Sequence, residues 1–245
     1  MDMVLVDWTR MGKTYCLAGV ILQDGRPRVV RPLPGRQREA PVRNVGWPPF
    51  LVDGRSRWEV FELVGPSPAE PRPPHLEDVW VHSLRPRRDL AGPAQRRAIL
   101  RATTTPADQP LFGAPLTTSR ATAYLTPGTG TRSLAGAVVP AGGIRFTASW
   151  REGVAEPDYR VSLSLPGLEG RMIPVKDHFL LCQAETASTG LEGRVRALHR
   201  AVCRMGEQVA VRLGLSRPFQ SAPGRAEGVC WLMADSFFSL TDPQP

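Results

Sequence analysis

A mainly β fold, built as two small barrels packed together with one or two short helices, is what this sequence predicts. Three observations carry the expectation. Proline (25) and glycine (23) together approach a fifth of the 245 residues, which favours many turns and short strands over long helices. Residues 159–165 alternate cleanly, with Tyr159, Val161, Leu163 and Leu165 on one face, the pattern of a half-buried strand. The length suits two domains of about 100–130 residues. An apolar content of 42% allows two cores, and 22% charged residues is too few for general disorder.

Along the chain, residues 4–6, 15–22 and 28–31 read as three strands, with Asp24-Gly25 turning the second into the third and Pro32 ending it. Residues 34–56 form a long loop rich in Pro, Arg and Gly. Residues 58–64 and 79–81 follow as strands, separated by the proline-rich stretch 66–74. A short helix over 93–101 has Pro93 in its first turn. The Thr/Pro-rich segment 102–120 reads as a connector, dividing a domain 1–101 from a domain 121–245. In the second half, strands are expected over 144–150, 159–165 and 171–175, with Pro166-Gly167 as a turn. A helix over 191–203 follows, with a Thr189/Glu192 capping box and Leu191, Val195, Leu198 and Val202 on one face. Strands over 207–213 and 229–233 close the chain. Three strands, a helix and two strands is the order of an OB barrel. In the first half the 34–56 loop stands where the helix would be.

The net charge of +8 favours polyanionic partners. Only Lys13 and Lys176 are lysines among the 31 basic residues. Arginine forks onto phosphate and stacks on bases, although a GC-rich genome produces the same ratio. No run of 18 apolar residues exists, so no transmembrane helix and no membrane partner are expected. The first residues lack a signal-peptide pattern. Cys16, Cys182, Cys203 and Cys230 form no Cys-x-x-Cys pair. Buried, reduced thiols in a cytoplasmic protein are therefore expected, not disulfides or zinc.

Motifs for chemistry are few. Gly12-Lys13-Thr14 resembles the end of a phosphate loop, but Asp7 stands where its first glycine belongs. His75, Glu77, Asp78 and His82 have no standard metal-ligand spacing. On a strand Asp177 and His178 would point to opposite faces. Ser133 lacks a nucleophile elbow. The sequence thus predicts no catalytic residues, no metal and no cofactor.

Binding candidates are clearer. The 34–56 loop carries Arg36, Arg38, Arg43 and Arg55, with Trp47 and Phe50 between them. Arginines for phosphate and aromatics for stacking suit a sequence-tolerant single-strand binder. The Arg-Pro pair occurs in both halves, at Arg31-Pro32 and Arg217-Pro218. Each arginine either pairs with a carboxylate such as Asp78 or Asp177, fixing the barrels together, or contacts phosphate. Arg196, Arg200 and Arg204 form a basic ridge on the 191–203 helix. Non-catalytic binding of single-stranded DNA or RNA is the leading expectation. A protein-interaction adaptor that docks an effector in a multi-gene system is the alternative, and a small-ligand barrel a third.

Several motifs in order along the chain resemble the bacterial dual OB-containing domain family. They include Thr9-Arg10-Met11, Cys16-Leu17-Ala18-Gly19, Val30-Arg31-Pro32 and Pro74-His75-Leu76-Glu77-Asp78. Further matches are Arg97-Ala98-Ile99-Leu100, Phe112-Gly113, Pro127-Gly128, Arg132-Ser133-Leu134, Pro174-Val175-Lys176-Asp177, Gly214-Leu215-Ser216-Arg217-Pro218-Phe219 and Cys230-Trp231-Leu232. The resemblance implies two OB folds packed as one unit and nucleic-acid binding, sometimes beside phage-defence genes, with no established catalytic residues. Arg10, Arg31 and Arg217 lie in these motifs and join the candidate nucleic-acid contacts.

Overall fold

The structure, a computed structural model, describes residues 1–23, 26–35, 45–51, 54–70, 72–119, 121–154, 156–187, 190–218, 228–241 and 243. It is mainly β, with three helices among the described residues. The first half forms one sheet. Its strands are β1 (Asp2–Met11), β2 (Thr14–Gln23), β3 (Arg26–Pro34), β4 (Glu59–Val64), β5 (Ser67–Pro68), β6 (Asp78–Val81) and β7 (Ser83–Leu90), in the order β5-β6-β3-β2-β1-β4-β7. β3 and β6 pair in parallel, Arg31 opposite Asp78. β4, next to one edge of the sheet, runs into β5 at the other edge through Gly65-Pro66, and β6 runs into the edge strand β7, so the sheet curls. Gly12-Lys13 is the two-residue turn of the β1–β2 hairpin, with Met11 opposite Thr14 and Gly12 at φ +66°. The look-alike of a phosphate loop is thus a tight turn that needs glycine at its first position.

β1 is buried on both faces, which explains its near-continuous apolar run. Met3 and Leu5 enter the core of the first half, while Val4 and Val6 face the second half with Trp58, Ile99, Leu100, Ala210 and Phe238. An irregularity between Leu5 and Asp7 shifts the alternation. Trp8 thereby rejoins the first core, and the intervening Asp7 meets Arg212 of the second half at 3.1 Å.

The second half holds β8 (Thr117–Thr118), β9 (Ala123–Leu125), β10 (Leu134–Pro140), β11 (Ile144–Ser149), β12 (Asp158–Leu163), β13 (Ile173–Pro174), β14 (Gln208–Leu215) and β15 (Cys230–Ser239). One sheet has the order β10-β14-β15-β9-β8, the other β11-β12-β13. Val175 bridges Ala234 in parallel, which links the two sheets. β10 was not expected: its first four residues are buried, and its segment shows no alternation of apolar with polar residues. The helices are α1 (Pro93–Thr103), α2 (His178–Ala187) and α3 (Leu191–Arg204). α2 corrects the strand reading of Asp177-His178. Asp177 Oδ1 accepts the Leu180 N–H at 3.0 Å and its carbonyl accepts the Leu181 N–H, which caps a helix start. The N-cap of α3 is Gly190, without a side-chain cap, whereas the expected capping residue Thr189 lies outside the described residues. The four cysteines are free, but only Cys230 is fully buried and Cys203 is exposed on α3.

Charge is buried where the halves meet. Arg57 donates to Asp177 and to the Phe237 carbonyl, and Asp177 Oδ2 accepts the Phe237 N–H at 3.1 Å. Ser133 donates to Glu77 through its N–H and its hydroxyl, a tie between the halves. Asp235 is buried, and its Oδ1 has no hydrogen-bond partner. It sits so close to Gly214 that a Cβ there would come within 1.8 Å of its Oδ2, so only glycine fits. Burial, and then Asp7, raise the Asp235 carboxyl well above 3.8. A raised folded-state value means stability that is full at low pH and is lost as pH rises above 3.8. Asp235→Asn stays neutral throughout. Its unfolding free energy should match the wild type at low pH and exceed it increasingly above 3.8, by up to about 1.4 kcal/mol per pH unit. Urea unfolding across that range measures the difference; parallel profiles would refute it.

Candidate nucleic-acid interface

The predicted contact residues separate by environment. Trp47 is only 4% exposed; it packs in the first core, and its indole N–H donates to the Pro32 carbonyl at 2.9 Å. Its ring is therefore closed to base stacking, because the chain at Trp47 pairs with Tyr15 and tucks inward. Phe50 is 70% exposed. Arg55 is half-buried, 3.8 Å from Glu59. Arg36, Arg38 and Arg43 lie outside the described residues.

The two Arg-Pro arginines converge on one carboxylate. Arg31 donates to Asp78 Oδ1 at 2.6 Å, and Arg217 donates to Asp78 Oδ2. Arg31 also donates to His75 Nδ1 at 2.5 Å. Burial, then Arg31 and Arg217, push His75 down to about 2, so it is a neutral acceptor. Arg217 thereby ties the second half to the first, whereas Arg31, 4% exposed, pairs within the first half. Arg10 is also engaged: it forks onto Glu185 at 2.9 and 3.0 Å and donates to Cys182 Sγ at 3.1 Å. Burial pushes the Cys16 and Cys230 thiols up to about 11, so neither is a thiolate near neutral pH. No group of three potential metal ligands occurs among the described residues.

Where, then, is the positive charge? Among the described residues, four arginines (Arg31, Arg57, Arg96, Arg212) and five carboxylates (Asp7, Glu77, Asp78, Asp177, Asp235) are buried. Arg31, Arg57 and Arg212 pair with Asp78, Asp177 and Asp7, and Arg96 donates to the Ala91 and Pro243 carbonyls. The core holds no positive excess, so the net +8 lies outside it. One exposed region stands out. β11 alternates, with Ile144 and Phe146 buried and Arg145, Thr147 and Ser149 outward or half-exposed, ending in Trp150 at 56% exposure. α3 packs against this strand: the Phe146 N–H donates to His199 Nε2 at 3.3 Å, and the two rings lie 5.3 Å apart. Burial lowers the His199 pKa, and nearby Arg145 adds to the shift. Arg196, Arg200 and Arg204 are exposed on α3. Arg196 pairs with Glu192, whereas Arg145, Arg200 and Arg204 have no carboxylate partner among the described residues.

Beside β12 lies a cavity of about 220 Å³, lined by Arg10, Arg151, Asp158, Tyr159, Lys176 and Glu185 among others. Arg194 of α3 donates to the Tyr159 hydroxyl at 3.3 Å, which joins the cavity wall to the helix. Arg151 pairs with Asp158, as Arg10 does with Glu185. Lys176 alone among these cations has no ion-pair partner among the described residues. Burial lowers its pKa. Lys176 lines this cavity together with the carboxylates Glu156, Asp158 and Glu185.

Sequence reasoning missed Arg145, Trp150 and Lys176. The alternation of 144–149 could have pointed Arg145 outward; nothing local singles out Lys176 except its rarity as a lysine. No protein-family model matches this chain, and no curated protein or solved structure matches it either.

Proposed function

We propose that this protein binds single-stranded nucleic acid without catalysis, through the β11–α3 face and the adjoining Lys176 cavity. The observation that carries the reading is the distribution of charge. Buried charge carries no positive excess, and the surplus lies outside, including Arg145, Arg200 and Arg204, which have no carboxylate partner among the described residues; Trp150 is exposed just after β11. Arginine rows with an aromatic platform are how sequence-tolerant single-strand binders work.

Two OB-like barrels, and a place in the dual OB-containing family with its phage-defence neighbours, belong to the same proposal. Strand pairing supports the barrels. In the first half, β1 pairs with both β2 and β4, β2 with β3, and β3 in parallel with β6. In the second, β10 pairs with β14, β14 with β15, and β11 with β12, with the helices inserted before β14.

Fluorescence anisotropy with labelled single-stranded DNA and RNA tests the function. Binding should weaken linearly in log–log plots against salt, by about 0.7 per phosphate contact. It should also weaken as pH rises through the Lys176 range, earlier than for an ordinary lysine, because only the ammonium binds phosphate. Lys176→Arg, whose charge does not titrate there, should abolish that early loss. Failure to bind at low salt would remove the nucleic-acid reading and leave the adaptor in its place.

A further inference from the structure

The cavity beside β12 carries charges of both signs. Arg10, Arg151 and Lys176 line it together with Glu156, Asp158 and Glu185. Most of that charge is already matched. Arg10 pairs with Glu185 at 2.9 Å, and Asp158 is held by Arg151 and by Arg160. Among the described residues, two charged groups of the wall are left over: the side chains of Lys176 and Glu156 have no ion-pair or hydrogen-bond partner. The Glu156 charge acts on Lys176, yet no ion pair joins the two. Both can be reached. Glu156 is exposed and Lys176 is half-buried, and neither is among the unpartnered polar groups that the fold seals from solvent.

The backbone holds these two groups in place. The Arg10 N–H donates to the Lys176 carbonyl at 2.9 Å, and the Lys176 N–H donates to the Ala234 carbonyl at 2.8 Å. Glu156 precedes Pro157, which restricts its backbone, and Asp158 then enters β12. The wall also includes the apolar Val154, Pro157, Val175 and Leu181. With a volume of about 220 Å³ the cavity falls below the 300–1,000 Å³ typical of drug-sized sites, so its ligand is small. A simple anion would answer Lys176 and leave Glu156 unmatched, and a simple amine would do the reverse. Covering a charge without giving it a partner is unfavourable. We infer that this cavity binds a small zwitterion, a free amino acid with a short apolar side chain, its carboxylate on Lys176 and its ammonium on Glu156. The inference does not rest on nucleic-acid binding, although both would use Lys176, and it is tested with no nucleic acid present.

The probes are L-valine and its two single-charge analogues: isovalerate, which lacks the amine, and isobutylamine, which lacks the carboxylate. Each is titrated into the full chain at neutral pH and followed by NMR. Valine should bind at least about tenfold more tightly than either analogue, the effect of one charged hydrogen bond. Lys176→Gln should bring valine down to the level of isobutylamine. Glu156→Gln should bring it down to the level of isovalerate. Glu156 is exposed, so its variant should fold normally and decides the matter even if Lys176→Gln does not fold. The inference is overturned if valine fails to bind at millimolar concentration, or binds no more tightly than its analogues. A Glu156→Gln protein that keeps the full preference for valine over isovalerate would overturn it as well.

Discussion

Asp78→Ala should remove about 3–5 kcal/mol of unfolding free energy, the cost of leaving a buried charge without its partner. Asp78 serves two arginines at once, Arg31 at 2.6 Å and Arg217 on its other oxygen. Its side chain is 5% exposed and that of Arg31 equally so, so water cannot replace the lost carboxylate. Arg217→Ala should cost less, about 1.5–3 kcal/mol for a charged hydrogen bond. Its side chain is 22% exposed, and Asp78 keeps Arg31 in that variant. Since domains of this kind are stable by about 5–15 kcal/mol, the first substitution takes a large share and the second does not. Urea unfolding followed by tryptophan fluorescence measures both. Equal losses, or a loss under about 1 kcal/mol for Asp78→Ala, would show that the convergence of the two Arg-Pro motifs does not hold the halves together.

The second large effect is on binding. Replacing Arg145, Arg200 and Arg204 together by alanine should flatten the salt dependence by about 2, from about 0.7 per lost phosphate contact. Trp150→Ala should weaken binding by about 1–3 kcal/mol and leave the slope alone, because stacking releases few ions. Trp47→Ala should do neither. It should instead destabilise the fold by about 3–5 kcal/mol, the usual cost of emptying a core site of tryptophan size. If the triple variant keeps the wild-type slope, the β11–α3 face is not where nucleic acid binds. If Trp47→Ala weakens binding without loss of stability, the 34–56 loop regains its claim.

Local chemistry decided a good deal. The proline and glycine density announced a mainly β fold, though not the ten-residue strands β1, β2 and β15, and the alternation at 159–165 became β12 and its continuation. Pro93 opened α1, and Val195, Leu198 and Val202 of the expected stripe became the inner face of α3, with Leu191 half-buried. These features depend on neighbours within a turn or a strand, so composition and spacing suffice to read them. The pairing of Arg31 and Arg217 with a carboxylate such as Asp78 was also open to sequence reasoning as one of two alternatives.

Tertiary structure decided the rest. α2 was hidden because its cap, Asp177, is the carboxylate that Arg57 holds from 120 residues away. β10 was hidden because its exposed positions, Val138 and Pro140, are apolar, so no polar side marks the strand. Whether Trp47 stacks on a base or fills a core depended on Tyr15 and Pro32, its partners from the first hairpin. The same holds for charge. A sequence records how many arginines exist, but an arginine is available to a ligand only if no carboxylate holds it. That depends on contacts such as Asp7 with Arg212, 205 residues apart in the chain and 3.1 Å apart in space.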